Sequence, residues 1–528
     1  MMGIGRASAV IAAGTLVSRL TGLLRAVVLV AAIGSVGKAS DAFAVANQLP
    51  NSIYQVISAG VLTGVIVPQV VRASAQKDGG HAFLAKLLTL GTIIVGSITL
   101  VATIGAPLLI DLYAPGFGPE QSALAVRFAY WCVPQLFFYG MFALLGEILN
   151  ARRVFGPYAW APIINNIVSI AGFALFMVLF GQSRAGLDGW STEMITLLAG
   201  AATLGVVAQT VVLLLFWRRI GIPLRLDFQW RGMGLGHMGK LAFWTFLTTL
   251  AGQVVGLVQS RVITPASGEN ASVAASQYTW LVFMVAYSTI VLAIGTPYFT
   301  RISEHAAAEK HEDLRETARQ AIRILGLLVI VATAAIAVAS VPAARIFSSS
   351  ADEAVLIAPV LLAYLVSLLP LAVLFIVQRT FYAYGDARTP FVYTLIQAAL
   401  LVVLTLVVAV TTPLEQRAAM VALAQSVAST VQTVIAAVML RRKFGSFGLG
   451  GTMLALGRFV LLAIPAAGAG WGLFLLMGSV DGWMLGGMLQ GALGAALIAG
   501  VTGIVFVALL ALFRVPELTT AIRMLRRR

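Results

Sequence analysis

Apolar and polar positions alternate along this chain on a long period. Stretches of roughly 20 or more mostly apolar residues, the length a bilayer-spanning helix needs, recur fourteen times. They lie near 8–34, 41–71, 84–110, 121–150, 158–180, 193–217, 238–261, 272–300, 321–344, 354–383, 390–410, 417–440, 455–478 and 483–513. Short polar segments separate them. The pattern predicts an all-α polytopic membrane protein of about fourteen transmembrane helices. Many stretches exceed the minimum, so tilted or kinked helices are expected. Pro50, Pro68, Pro134, Pro162, Pro370 and Pro465 fall inside them. Each removes a backbone donor, and neighbouring helices must satisfy the groups it frees. The first stretch is too long for a signal peptide and is interrupted by Arg19 and Arg25, so it reads as a helix.

Composition supports this reading. Of 528 residues, 60% are apolar and only 10% are charged, against about 25% charged in soluble proteins. That excludes a soluble globule. A single cysteine, Cys132, excludes an intramolecular disulfide framework and any multi-cysteine metal site. The net charge of +15 would suggest nucleic acid until the charges are placed. With the N-terminus inside, 27 of the 35 Lys and Arg fall in cytoplasmic segments, and six (Lys38, Arg127, Arg184, Arg261, Arg345, Arg417) fall outside. This is the positive-inside distribution, with both termini cytoplasmic. The basic excess therefore reports membrane topology and contact with anionic lipids, and no nucleic-acid partner is expected.

Two weak internal matches suggest a duplication. Arg19-Leu-Thr-Gly22-Leu23-Leu-Arg25 parallels Gln253-Val-Val-Gly256-Leu257-Val-Gln259 at an offset of 234, and Ala151-Arg152 parallels Ala387-Arg388 at 236. They imply two six-helix lobes, 1–217 and 238–443, joined by a basic cytoplasmic linker at 218–237. Two further helices and a basic tail follow at 444–528. Other apparent motifs carry nothing. Gly234-Leu-Gly236-His-Met-Gly239 has the glycine spacing of a dinucleotide loop but no preceding strand. The four histidines lack metal-ligand spacing, and no Walker loop is present, so no cofactor or metal is expected. The charged stretch 304–323 reads as a solvated, helix-compatible connection.

Arg19 and Arg25 are the two basic residues left inside an apolar run. An arginine near mid-bilayer costs about 2.5–3.5 kcal/mol on insertion scales. The pair is six residues apart, about 120° around a helix, with Gly22 between them. Carboxylate partners are few; Asp41 and Glu147 are the candidates, read also as gate residues. Two cations with too few anions point to an anionic substrate, above all a phosphate, which suits the forked guanidinium. The second stretch adds Asn47, Gln48, Asn51, Tyr54 and Gln55, of which 47, 51, 54 and 55 share one helical face. Ser18, Asn166, Gln253, Gln259 and Gln277 are further candidate cavity-lining residues. No group is expected to be catalytic.

Ser18-Arg19-Leu-Thr-Gly22-Leu-Leu-Arg25 resembles the first-helix motif of the MurJ/MviN family of lipid II flippases, in the multidrug/oligosaccharidyl-lipid/polysaccharide exporter superfamily. The likeness continues through Asp41-Ala-Phe43, Leu49-Pro50-Asn51, Gly60 and Val67-Pro68. Further along, Ala114-Pro115-Gly116-Phe117, then Leu149-Asn150, Phe155, Pro157, Pro162 and Asn166 match. Phe381-Tyr382-Ala383, Asp386 and Arg388-Thr389-Pro390 match as well. The resemblance implies two lobes around a central cationic cavity and movement of undecaprenyl-diphosphate-linked peptidoglycan precursor to the outer leaflet by alternating access. It implies a diphosphate held by Arg19 and Arg25; the polar face of the second stretch then offers Asn47, Asn51, Tyr54 and Gln55 as the expected headgroup contacts. Membrane potential or a cation gradient would supply energy, and cell-wall synthesis proteins would be partners.

The chain departs from the family pattern at Ala26, Tyr54, Gln55 and Ala59, and at Tyr278-Thr-Trp280-Leu-Val-Phe283, where family charges are missing. These losses resemble an actinobacterial-type member. The interiors of the seventh, eleventh and twelfth stretches carry no carboxylate, so a sodium site is not expected. The alternatives are a flippase for another polyprenyl-linked polysaccharide or a multidrug exporter of the same superfamily. A drug exporter would carry cavity carboxylates where this chain has arginines.

Overall fold

A computed structural model describes residues 4–58, 80–152, 154, 156–220, 227–229 and 239–518. All regular structure among them is helical. Thirteen stretches of helix are long and apolar enough to cross a membrane. The remaining expected one, 41–71, is described only as Lys38–Ile57 (α2) and otherwise lies outside the described residues. This is a multi-pass membrane protein. The faces turned outward are apolar: Val410 and Leu476 are more than four-fifths exposed, as lipid contact permits.

The chain forms two compact units, Met1–Glu269 and Asn270–Arg528. The first contains α1 (Ile4–Ile33), α2, α3 (His81–Ile104), α4 (Ala106–Tyr113), α5 (Pro119–Cys132), α6 (Gln135–Ala151), α7 (Gly156–Phe180), α8 (Thr192–Trp217) and α9 (Gly239–Ile263). The second contains α10 (Val273–Tyr287), a π-helical turn at Ser288–Leu292, α11 (Ala293–Ala307), α12 (His311–Val338), α13 (Ser340–Arg345), α14 (Ala351–Leu365) and α15 (Leu368–Ala383). It ends with α16 (Arg388–Thr411), α17 (Leu414–Phe444), α18 (Leu449–Leu476) and α19 (Met488–Leu512). The lobes expected from the sequence divide at the linker; the compact units divide at 269/270, so α9 falls in the first.

Proline explains the interruptions within spans. Its ring clashes with the carbonyl four residues back. Pro107, Pro134, Pro342 and Pro370 each stand two to five residues past a helix end, at Ile104, Cys132, Val338 and Leu365. Pro50, Pro162 and Pro465 lie inside unbroken helices, and Pro68 lies outside the described residues. The charged stretch 304–323 is helical apart from a three-residue turn between α11 and α12.

Helices within a membrane associate by close packing, which small residues allow. In the first unit α7 lies against both α1 and α8, α6 against α3 and α8, and α2 against α5, α6 and α9. At the α7–α8 seam a Cβ on Gly205 would stand 2.6 Å from the Ser169 hydroxyl. Leu87, Leu144, Leu145, Ile148, Leu213 and Trp217 fill the core between α3, α6 and α8. In the second unit α12 is central, packed by α11, α15, α18 and α19, with Phe375, Phe381, Tyr393, Phe459 and Phe506 in its core.

Candidate functional site

The predicted site residues of the first unit stand on α1, α2, α6, α7 and α9. Arg19 and Arg25 are half-buried on α1. What fixes α1 is Asn166 of α7. Its side-chain amide donates to the Ser18 carbonyl at 3.0 Å and to the Thr21 hydroxyl at 2.9 Å, on either side of Arg19 in the chain. Gly22 lies beside it: a Cβ there would be at ordinary contact distance, 3.6 Å, from the Asn166 amide nitrogen. About two turns before Gly22, a Cβ on Gly14 would stand 2.8 Å from the Trp160 indole nitrogen. The predicted lining residue Asn166 is therefore buried in a helix seam, with Ser18 beside it through its carbonyl.

Arg25 lies within electrostatic reach of Tyr139 on α6 and makes no hydrogen bond or ion pair among the described residues. Tyr139 sits beside Tyr54 of α2, ring centroids 5.8 Å apart, and its hydroxyl donates to Gln135 Oε1 at 3.5 Å. Gln135, almost wholly buried, donates in turn to Asn47 Oδ1 at 3.2 Å and to Thr203 of α8 at 3.0 Å. The shared face expected of α2 thus splits. Asn47 and Tyr54, seven residues and two turns apart, turn to α6. Asn51 is exposed. Gln55, some 80° around the helix from Asn47, accepts a 2.9 Å hydrogen bond from Gln253 of α9. Gln48 and Gln259 are half-buried. Gln277 stands on α10, in the second unit.

Glu147 of α6 faces Tyr54 and Tyr158 and makes no ion pair with Arg152; Arg153 lies outside the described residues. Asp41, fully buried at the start of α2, accepts a 2.6 Å bond from the Ser267 hydroxyl. Gln121 of α5 donates to that same hydroxyl at 2.7 Å and to the Lys38 carbonyl at 2.9 Å. The turn before α2 is tight: Gly37 has φ +152° and a Cβ there would lie 2.6 Å from Ala185 Cβ, so only glycine fits.

A family model described as "Lipid II flippase MurJ" matches residues 30–491. The chain belongs to this family. A "Probable lipid II flippase MurJ" of Synechocystis sp. is 25% identical over 527 residues, covering 96% of this chain and 94% of the relative. Another from Rhizobium tropici is 26% identical over 394 residues, covering 73% and 72%. A solved structure of "Lipid II flippase MurJ, inward closed conformation" shares the fold at TM-score 0.70 and 20% identity, covering 93% of this chain and 98% of that one. An inward-facing MATE transporter shares it at TM-score 0.65 and 16% identity, over 82% and 96%.

Three residues escaped sequence reasoning. Gln135 and Tyr139 are polar positions in an otherwise apolar stretch, and that interruption was their signal. Arg379 of α15 sits among Phe299, Phe375 and Tyr382. It was counted with the cytoplasmic basic residues, although aromatic residues four before and three after it mark a shared helical face.

Proposed function

We propose that this chain moves lipid II, the undecaprenyl-diphosphate-linked peptidoglycan precursor, from the inner to the outer leaflet. Family membership supports the substrate class. The observation that carries the mechanism is Arg25, a half-buried cation on a membrane helix with no hydrogen bond or ion pair among the described residues. A charge so placed is stabilised when an anion arrives, and a diphosphate presents paired oxygens to a planar fork of N–H donors. In this reading Arg19 and Arg25 hold the diphosphate. Asn51 and Gln55, exposed on α2, meet the sugar–peptide headgroup, while Asn47 and Tyr54 support them through Gln135 and Tyr139. Buried Asp41 acts as part of the outer gate, and both termini lie in the cytoplasm. The two units alternate access, driven by membrane potential or a cation gradient. No step makes or breaks a covalent bond. Anionic lipids surround the protein, and cell-wall synthesis proteins take up the delivered precursor.

The test is rescue of a cell depleted of its own lipid II flippase, with outer-leaflet lipid II measured directly. Wild type is expected to restore growth and outer-leaflet lipid II. Arg19→Ala and Arg25→Ala are each expected to abolish both at normal expression. Full rescue by both variants would sink the diphosphate clamp, and failure of the wild type would sink the substrate.

A further inference from the structure

The second unit holds a cation that the proposed diphosphate clamp does not use. Arg379 is half-buried on α15, four residues and about 6 Å before the helix ends. Its guanidinium carbon lies 4.9 Å from the ring centroids of Phe375 and Phe299 and 5.9 Å from that of Tyr382. Two of the rings come from its own helix, and Phe299 comes across from α11. The rings are themselves positioned. A Cβ on Gly295 of α11 would stand 2.6 Å from Phe375 Cε1, so that ring fills the space a side chain would occupy. Gln378 donates to the Tyr382 hydroxyl at 3.2 Å. The π-helical turn at Ser288–Leu292 widens the helix just before α11, a distortion that recurs at functional sites.

Aromatic faces stabilise a cation electrostatically, but they do not accept hydrogen bonds from the in-plane N–H groups of a guanidinium as oxygen does. Those donors make no hydrogen bond among the described residues. The buried Nε makes no hydrogen bond, and Arg379 has no ion pair among the described residues. If its role were packing alone, an apolar side chain would fill the site without stranding the buried Nε–H. Near a helix end, at the edge of the hydrocarbon, the abundant oxygen anion is lipid phosphate. We infer that Arg379 is a phosphate-binding residue, its guanidinium clamped by three rings so that its N–H edge takes the phosphate oxygens of a lipid. The phosphate belongs either to the diphosphate of the transported lipid, which rests on the function proposed above, or to a resident anionic phospholipid.

The full chain, purified in detergent, would be titrated with lipid II and separately with dioleoylphosphatidylglycerol, and binding read by native mass spectrometry. Arg379→Gln is expected to weaken binding of one or both lipids roughly tenfold or more. Loss for lipid II alone assigns the transported diphosphate; loss for phosphatidylglycerol alone assigns a resident lipid. Arg379→Lys keeps the charge but loses the fork, and an intermediate, several-fold loss is expected. It also serves as the deciding variant if Arg379→Gln does not fold by size exclusion and thermal melting. Unchanged affinity for both lipids in the folded variants overturns the inference. Failure of the wild type to bind lipid II counts against the proposed function, and the phosphatidylglycerol titration then decides this inference by itself.

Discussion

Gln253 of α9 donates a 2.9 Å hydrogen bond to Gln55 of α2, joining positions 198 residues apart in the chain. The bond ties the helix that precedes the second unit to the helix carrying the proposed headgroup contacts. Interhelical amide bonds in membranes are worth on average about 0.6 kcal/mol, because unpaired amides find other partners. A double-mutant cycle with Gln55→Ala and Gln253→Ala, read by thermal unfolding in detergent, is expected to give a coupling of about 0.5–1.5 kcal/mol. Strictly additive effects would show that the two amides do not act together.

Asn166 should matter more than its single side chain suggests. Its amide nitrogen makes both bonds that hold α1 on either side of Arg19, to Ser18 and Thr21. Asn166→Ala removes both and leaves a small void, costing about 1–2 kcal/mol. Asn166→Asp is nearly isosteric but cannot donate, so it should fare no better. Both variants are expected to lower the melting temperature and to impair rescue of a flippase-depleted cell while expression persists. Normal rescue by Asn166→Asp would show that the register of α1 does not depend on this clamp.

The helices were legible because a bilayer imposes one length on every apolar run. Their interruptions were legible only in part. Pro134 and Pro370 end helices while Pro50, Pro162 and Pro465 do not, and the difference depends on neighbours that the local sequence does not name. The connection at 304–323 is nearly all helix because Arg319 pairs with Glu312 and Glu316, and Arg315 reaches the Phe444 carbonyl from a helix over 100 residues away. In the site, Arg19 and Arg25 stood out because a charge in an apolar run is costly wherever it points. Asn47 and Asn166 read equally well as lining or as seam, and only the partner, Gln135 for one and the α1 backbone for the other, separates the two roles.

The corner between α15 and α16 should respond to acid. Burial raises the Asp386 carboxyl, but hydrogen bonds from Lys443 and from the Thr389 hydroxyl and backbone outweigh it and hold the group below the usual 3.8. A depressed folded value means the stabilisation is complete above the unfolded value and lost as pH falls through the folded one. Asp386→Asn should therefore melt lower than wild type at neutral pH, and the gap should close as pH drops below about 4. Lys443 is 51% exposed, so the ion pair itself contributes at most about 1 kcal/mol. A gap that stays constant from neutral pH to well below that value would mean the carboxylate charge plays no part.

Arg345 ties α13 to the turn before α19. It is only 8% exposed, and its Nε donates to the Leu485 carbonyl at 2.8 Å while Nη1 donates to the Ser348 carbonyl. The helix bearing it lies so close to α19 that a Cβ on Gly491 would stand 2.8 Å from the Pro342 carbonyl oxygen. Arg345→Met would fill much of the same volume yet leave both carbonyls without their donor. Bonds from a charged donor contribute about 1.5–3 kcal/mol, so a clear drop in melting temperature is expected. Arg345→Lys, whose single ammonium cannot reproduce the fork, should recover only part of it. The loss should be local first: Leu485 anchors the turn that also carries the half-exposed Trp483, and chymotrypsin should cut there sooner in Arg345→Met than in wild type. Wild-type melting together with unchanged cleavage at Trp483 would show that helix packing, not this arginine, seats α19.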